Sequence, residues 1–422
     1  MTDIAQAWGA GPSERYETLA APFRPLFARI RERAVERDLE HDLPHAEIGW
    51  LKDAGFSTLR VPEAHGGLGF TLPELFALLI ELSEADPNIT NAYRSHLGFI
   101  EDVLNSPPSA WRSGWLDRLG RRELIGSGFS ETGEGRIGTY STRLSLREGR
   151  YVLNGEKFYT TGSLYADWIN LGAGDDNGDP IGALVPTRAR GVEILDDWDG
   201  FGQALSASGT ARFTDVEISP DLIKPTAARF PYSGGFFQLV HLATLAGIGR
   251  AASGDVARLV FERKRVYGRG NAPRTAQDPQ VLQVVGRVRS AAYSAGAIAL
   301  KAAEALQRSH IAHLGEDEAA KAAANLHAEL EVSQSVTVVT GLILEAATIL
   351  FDALGASAAR KQVGLDRHWR NARTIASHNP RIYHDRIVGD FAVNGTVPTP
   401  HGGIGVAVDA AGNAAKAGVN SQ

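Results

Sequence analysis

The stretch Asp366–Pro380, DRHWRNARTIASHNP, ends in a histidine that could hold or pass a proton. Arg367, Arg370 and Arg373 recur at every third position, with Trp369 and Ala372 between them, which is helical spacing. Pro380 disfavours helical geometry at Asn379, so His378 is expected at or near the helix end, where one polar ring can face a pocket. A histidine in such a place is more often a surface cap than a catalyst, so a chemical role needs support from other segments.

Three loops carry further groups able to bond a ligand. Gly126–Gly135 reads GSGFSETGEG, Asn154–Ser163 reads NGEKFYTTGS, and Trp198–Thr210 reads WDGFGQALSASGT. Glycines let backbone approach a flat ligand, and hydroxyls and amides can bond its edge. Singly, each is also what an ordinary turn looks like. A basic loop, RKRVYGRGNAPRTAQDP, holds Arg263, Lys264, Arg265, Arg269 and Arg274. Guanidinium pairs with phosphate oxygens in bidentate fashion, although a solvated charged turn explains the loop equally well. In NITNAYRSHLGFIEDVL, Asn91, Ser95 and Phe99 share one helix face, with His96 beside them.

These groups need elements to hold them. The first third has helical periodicity. Arg15–Asp38 places Leu19, Phe23, Leu26, Phe27 and Ile30 at helical intervals, and Thr71–Ala85 puts Leu72, Leu75, Leu78, Leu79 and Leu82 on one face. From Leu124 to about Lys224 short alternating segments predict strands at Ser141–Leu146, Tyr151–Leu153, Trp168–Leu171, Gly182–Pro186 and Arg212–Ile218, hence a small barrel or sandwich. The last third predicts long helices over Phe236–Lys264, Asp278–Gln307, Asp317–Leu354 and Asp366–Ala376, a bundle. The expected domains are 1–122 (helical), 123–225 (β) and 226–422 (helical bundle).

The 422 residues are 43% hydrophobic and 8% aromatic, which suits a folded protein with two or three cores. A net charge of -6 argues against nonspecific nucleic-acid binding and against a polybasic membrane surface. With no cysteine there is no disulfide, thiolate metal site or cysteine nucleophile, and no metal site is expected. The first residues show no signal peptide, and no apolar run is expected to reach the ~18–20 residues that span a bilayer, so a cytoplasmic place is expected.

The ordered set SETGEG, NGEKFYTTGS, ASGTARFTDVEI and DRHWRNART resembles the acyl-CoA dehydrogenase superfamily over about residues 25–395. The resemblance implies an α+β fold: an N-terminal helical domain, a central β-barrel and a C-terminal four-helix bundle, with flavin between barrel and bundle and a homotetramer as the usual assembly. Dehydrogenases of that family need a carboxylate base for the α-proton of a thioester. One usual place for it, after the segment Arg370-Asn371-Ala372-Arg373, is taken by His378-Asn379, and no Asp or Glu lies between Asp221 and Asp255 where the other would be. DRHWRNARTIASHNP, DDWDGFGQALSASGT and AQDPQVL are instead similar to the flavin-dependent monooxygenase branch, which acts on dibenzothiophene, alkylsulfones and alkanesulfinates.

That likeness implies FMNH2 from a separate NAD(P)H-dependent flavin reductase, O2 as co-substrate, and oxygenation of a small organosulfur compound (sulfone, sulfinate or sulfide) through a C4a-hydroperoxyflavin. The alternatives are an FAD-dependent acyl-CoA dehydrogenase-type enzyme or a nitrogen-oxidising monooxygenase of the same fold. By resemblance His378 positions or protonates the peroxide. Thr161 is a hydroxyl near flavin N5, with Tyr159, Thr160 and Ser163 on the same wall. Ser127 stands for an Asn near the ring, and Phe129 and Ser130 lie along the ring edge. Trp198 lies near the flavin, with Ser206 and Ser208 toward phosphate or ribitol. Arg265 holds the phosphate, and Ser357 stands where an arginine would be. Asn91, Ser95 and His96 line the substrate side. Asn91 and Ser95 replace a His and a Tyr of the dibenzothiophene enzyme, and Ile375 replaces its second C-terminal His, so a smaller aliphatic substrate is expected.

Overall fold

The computed structural model describes residues 8–132 and 140–398; Gly133, Glu134 and Gly135 of the first glycine-rich loop lie outside them. Seven helices come first: α1 (Glu14–Ala20), α2 (Arg24–Glu32), α3 (Ala34–Glu40), α4 (His45–Asp53), α5 (Leu72–Ala85), α6 (Pro87–Asn105) and α7 (Ala110–Gly120). The expected continuous run over Arg15–Asp38 is three helices instead. Pro25, at the start of α2, has no N–H to continue α1, and Arg33 leaves helical geometry before α3. α5 starts where Thr71 and Glu74 form a reciprocal capping box, and it buries Leu72, Leu75, Leu78, Leu79 and Leu82. Each such leucine contributes about 1.5–3 kcal/mol on burial.

Seven strands follow: β1 (Ile125–Gly128), β2 (Arg143–Arg147), β3 (Arg150–Lys157), β4 (Trp168–Gly174), β5 (Pro180–Pro186), β6 (Val192–Ile194) and β7 (Ala211–Ile218). They form one curled sheet in the order β1-β4-β2-β3-β7-β6, with β5 on β4. The expected central barrel takes this form, with β1 parallel to β4 and β6 antiparallel to β7. β7 buries Ala211, Phe213, Val216 and Ile218, and it exposes Arg212, Thr214 and Asp215. That pattern is the two-residue period of a strand with one wet face, slipped by one residue at Thr214-Asp215, where the pairing with β3 has a bulge.

The last helices are α8 (Ser233–Glu262), α9 (Pro279–His313), α10 (Glu318–Ile349), α11 (Asp366–Ser377) and α12 (Ile382–Asn394). α8 is the hub. A Cβ at Gly247 would strike the Ile80 carbonyl and Ser83 of α5. At Gly249 it would press on Ile343 of α10 and Ala292 of α9. Small residues therefore let three helices approach one axis. Contrary to the sequence expectation, one helical run, Glu318–Ala353, is long and apolar enough to cross a membrane by length and composition. In the bundle its Val332, Val336, Val339 and Ile343 are buried core. α12 was not expected from the sequence. The chain resumes helical geometry two residues after Pro380, a residue that is tolerated just outside a helix start.

Candidate active site

α11 is fixed by its polar face. Arg367 Nη2 donates to Asp255 Oδ2 of α8 at 2.6 Å, and His368 Nε2 lies 2.9 Å from the same oxygen. Arg370 bonds Asp38 of α3, Asp366 at 2.7 Å, and the Phe201 carbonyl at 3.1 Å. Asn371 Oδ1 accepts the Gln203 N–H at 2.6 Å, and Trp369 stacks on Phe201 at 5.9 Å. A Cβ at Gly202 would strike the Arg370 carbonyl, so glycine there lets the 198–210 loop lie directly against α11. Arg367 and Arg370 are thus clamps that set where the helix ends.

That end carries His378, the C-cap, still with helical dihedrals of −57° and −43°. Its ring lies 4.5 Å from the ring of His241 on α8. α11 therefore runs back along α8, from Asp255 to His241. His378 is open to the cleft yet crowded, and loss of water, then Arg94, push its pKa below the usual value, with Asn379 opposing. His241 is fully enclosed and its pKa is also pushed down, by loss of water, Arg94 and His378, and its Nε2 is buried without a partner. Both rings are neutral at pH 7, so each offers one N–H and one acceptor nitrogen.

The hydroxyl wall divides in two. Thr160 Oγ1 donates to the Gly209 carbonyl at 2.8 Å, Ser163 Oγ to the Ser127 carbonyl at 3.1 Å, and Ser206 Oγ to the Gln203 carbonyl at 2.7 Å. All three are fully buried and tie the loops together. Thr161 Oγ1 and Ser208 Oγ, 2.9 Å apart, form the partly open end of the ladder that continues through Ser206. Ser127 donates its N–H to the Thr161 carbonyl at 3.2 Å, which brings the β1 end to the same place. Gly162, at φ +81°, allows that turn to lie on the Ala92 carbonyl of α6. Trp198 Nε1 donates to the Gly202 carbonyl at 3.2 Å, and its ring packs on Tyr159 at 5.7 Å. Tyr159 itself is exposed, at φ +58°. The Ser130 carbonyl accepts from Phe158 N–H, while Phe129 lies beneath the Arg229 guanidinium.

On α6, Asn91 and Ser95 share a face with Arg94 and Gly98, and Gly98 abuts Phe237 of α8. His96 is on another side: its Nε2 lies 2.6 Å from the Ser57 carbonyl, and burial pushes its pKa down to about 4. It is itself buried and lines a small half-open pocket with Ile48, Tyr93 and Tyr165, so it is a core histidine. Arg265 and Ser357 lie at the far end of the bundle, where Arg263 approaches Gly355. The end of α8, at Glu262, is 21 residues beyond His241, or about 30 Å along the helix. Neither residue reaches the Thr161–His378 cleft of its own chain.

Sequence reasoning missed Arg94, Arg229, Phe237 and His241. The available signals were a lone histidine in the apolar run FFQLVHLATLAG and an arginine on the face that Asn91 and Ser95 already marked.

The residues present fit a flat ring with polar edges. Gln203 is buried with both amide atoms unpartnered, as is His241 Nε2, and polar atoms left this way are costly unless a ligand satisfies them. Trp198 and Phe129 supply flat apolar surface, and Thr161 and Ser208 supply hydroxyls.

Two family models match the chain: the acyl-CoA dehydrogenase N-terminal domain over residues 14–123 and the acyl-CoA dehydrogenase C-terminal domain over residues 239–380. A probable FMNH2-dependent monooxygenase, SfnC of Pseudomonas putida, is 26% identical over 387 residues, spanning 89% of this chain and 95% of that protein. Dibenzothiophene monooxygenase of Mycolicibacterium goodii is 26% identical over 395 residues, spanning 89% and 94%. Among solved structures, FMN-bound TdsC of Paenibacillus superposes with TM-score 0.82 at 26% identity, over 92% of this chain and 99% of that one. Methanesulfinate monooxygenase MsuC of Pseudomonas fluorescens shares the fold, with TM-score 0.79 at 23% identity over 93% and 99%.

Proposed function

The chain belongs to the acyl-CoA dehydrogenase family, and we propose that within it the protein is a two-component FMNH2-dependent monooxygenase of a small organosulfur compound. The observation that carries this is the cleft end of α11, where two neutral histidines meet and no carboxylate stands. The nearest acid on α8, Asp255, is held by Arg367 and His368 at the other end of α11. A base strong enough for a thioester α-proton is therefore missing among the described residues, while N–H donors for a reduced oxygen species are present.

FMN, bound as FMNH2, supplies two electrons and activates O2, so that one oxygen atom goes to sulfur and the other leaves as water. This chain's residues do the rest. Thr161 and Ser208 offer hydroxyls to the ring edge, with Ser127 and Ser130 giving backbone groups beside them and Trp198 an apolar wall. His378 donates its N–H where oxygen is handled and holds a proton there. Asn91 and Ser95 face the substrate. The curled sheet and the bundle exclude water, which protects a reactive oxygen species from wasteful breakdown. A separate NAD(P)H-dependent flavin reductase supplies FMNH2, and we place both in the cytoplasm.

A homotetramer completes the site. Exposed Leu282, Tyr293 and Ile311 on α9 and Ile382, Tyr383 and Val393 on α12 give apolar faces to further copies. Arg265, too far from the cleft of its own chain, serves the phosphate of FMN held by a neighbouring copy, and Ser357 is near the same end. Arg265→Ala is expected to weaken FMN binding by about 10- to 100-fold, as loss of a charge-assisted contact does. Titration by flavin fluorescence checks this; an unchanged affinity would remove Arg265 from the phosphate site. The reading as a whole is tested by turnover with photoreduced FMN and isotopically labelled O2: the sulfur product gains one labelled atom.

A further inference from the structure

The cleft between α6, α8 and α11 carries more positive charge than its carboxylates answer. Arg94 makes one hydrogen bond among the described residues, Nε to the Phe237 carbonyl at 3.4 Å, and no ion pair. Its guanidinium lies 4.7 Å from the centre of the Phe237 ring, and the Arg229 guanidinium lies 4.9 Å from the same ring. Arg229 meets Asp102 at 3.2 Å, but Lys224 meets that same carboxylate at 3.3 Å. Asp102 is thus shared by two cations, and Arg94 has no carboxylate partner among the described residues.

An unanswered guanidinium in a partly dry site is costly. Loss of water, and then Arg229, push the Arg94 pKa down to about 9, yet this leaves it charged at neutral pH. The same side of the cleft offers neutral donors: the unpartnered His241 Nε2, and Asn91 and Ser95 on the Arg94 face of α6. A guanidinium with no acid partner and neutral donors beside it form a receptor for an oxyanion.

We propose that Arg94 is the anchor of an oxyanion subsite and that the substrate is a small alkanesulfinate whose charged oxygens lie against it. The substrate part rests on the monooxygenase reading above. A sulfinate fits both halves of the chemistry. It carries the charge that Arg94 lacks, and its sulfur keeps a lone pair on which a new S–O bond can form. A sulfone offers neither. The balanced step takes RSO2⁻, O2 and FMNH2 to RSO3⁻, FMN and water: sulfur loses two electrons, FMNH2 gives two electrons and two protons, and O2 accepts four electrons in all.

The test is calorimetric titration of the protein, equilibrated with excess FMN, against methanesulfinate and separately against dimethyl sulfone. Methanesulfinate is expected to bind at least about tenfold more tightly than the sulfone, and Arg94→Gln to weaken it by about 10- to 100-fold. Arg94→Lys should fall between the two, which controls for a folding defect, and FMN affinity should be unchanged in both variants. Equal binding of the sulfone, or full sulfinate affinity in Arg94→Gln, overturns the subsite. A loss of FMN affinity in place of sulfinate affinity also overturns it, because Arg94 would then serve the flavin. Sulfinate that binds through Arg94 but is not oxidised with FMNH2 and O2 overturns the substrate assignment through the monooxygenase reading, while the subsite itself stands.

Discussion

His378→Ala is expected to lower product formation by about 10²- to 10⁴-fold, the range that a positioned proton donor contributes, with FMN binding nearly unchanged. The ring sits at the C-cap of α11, 4.5 Å from His241 and exposed. Crowding and Arg94 keep it neutral, so its contribution at pH 7 is a fixed N–H rather than a charge. Alanine removes that donor and leaves room for water. FMNH2 should then still react with O2, but the oxygen should leave as hydrogen peroxide. The ratio of sulfur product to peroxide, measured per FMNH2 consumed, separates this from a general loss of activity. A variant that couples as well as wild type would mean His378 has no part in handling oxygen. His378→Gln, which keeps an N–H, should recover part of the coupling.

The second large effect is on stability. In Asp255→Asn, Arg367 loses its counter-ion in a site where both side chains are nearly buried. Breaking one partner of such a pair costs about 3–5 kcal/mol, or about 3–6 °C in Tm for a chain of this size. Burial alone would raise the Asp255 pKa, but the His368 hydrogen bond and charge, Arg367 and Arg31 together hold it well below the carboxylate range. The ionised form therefore adds stability above the unfolded pKa of about 3.9, and that stability is lost as pH falls through and below it. His368 is pushed down to about 4, first by loss of water and then by Arg367. Between about pH 6.5 and 4 the unfolded chain binds a proton at His368 that the folded chain refuses, so stability also falls over that window. Wild-type Tm should decline from about pH 6.5 downward, and the steepest acid limb should be missing in Asp255→Asn. Because Asp255 holds the start of α11, the same variant should also lose coupling through misplacement of His378. A thermal scan that shows less than a few degrees of difference would mean the clamp does not set the helix.

The sequence showed the large design through features that local physics makes visible. Thr71 and Glu74 announce α5, the alternation in ARFTDVEI announces β7, and Pro380 announces the end of α11 near His378. Less visible were elements too short or too plain to carry a period. β1 is IGSG, held by pairing with β4 rather than by its own composition, and β6 has three residues. The site was legible in the same uneven way. Thr161 is left partly open beside Ser208, but Thr160, Ser163 and Ser206 are satisfied within the loops that carry them, a matter of partners that spacing does not reveal. Arg94 and His241 come from helices about 150 positions apart, and the local signal at each does not tell that they meet. Their meaning comes from what surrounds them: a shared neighbour in Phe237 or His378, and no carboxylate.

The measurement that bears most directly on the central claim is turnover with photoreduced FMN, labelled O2 and methanesulfinate, read by mass spectrometry together with a peroxide assay. The account predicts methanesulfonate carrying one labelled oxygen, formed in step with FMNH2 oxidation and with little peroxide. FMNH2 oxidised at the rate of free flavin, with all oxygen recovered as peroxide and sulfinate untouched, would contradict it; bleaching of bound FAD by an acyl-CoA thioester would then assign the fold to dehydrogenation instead.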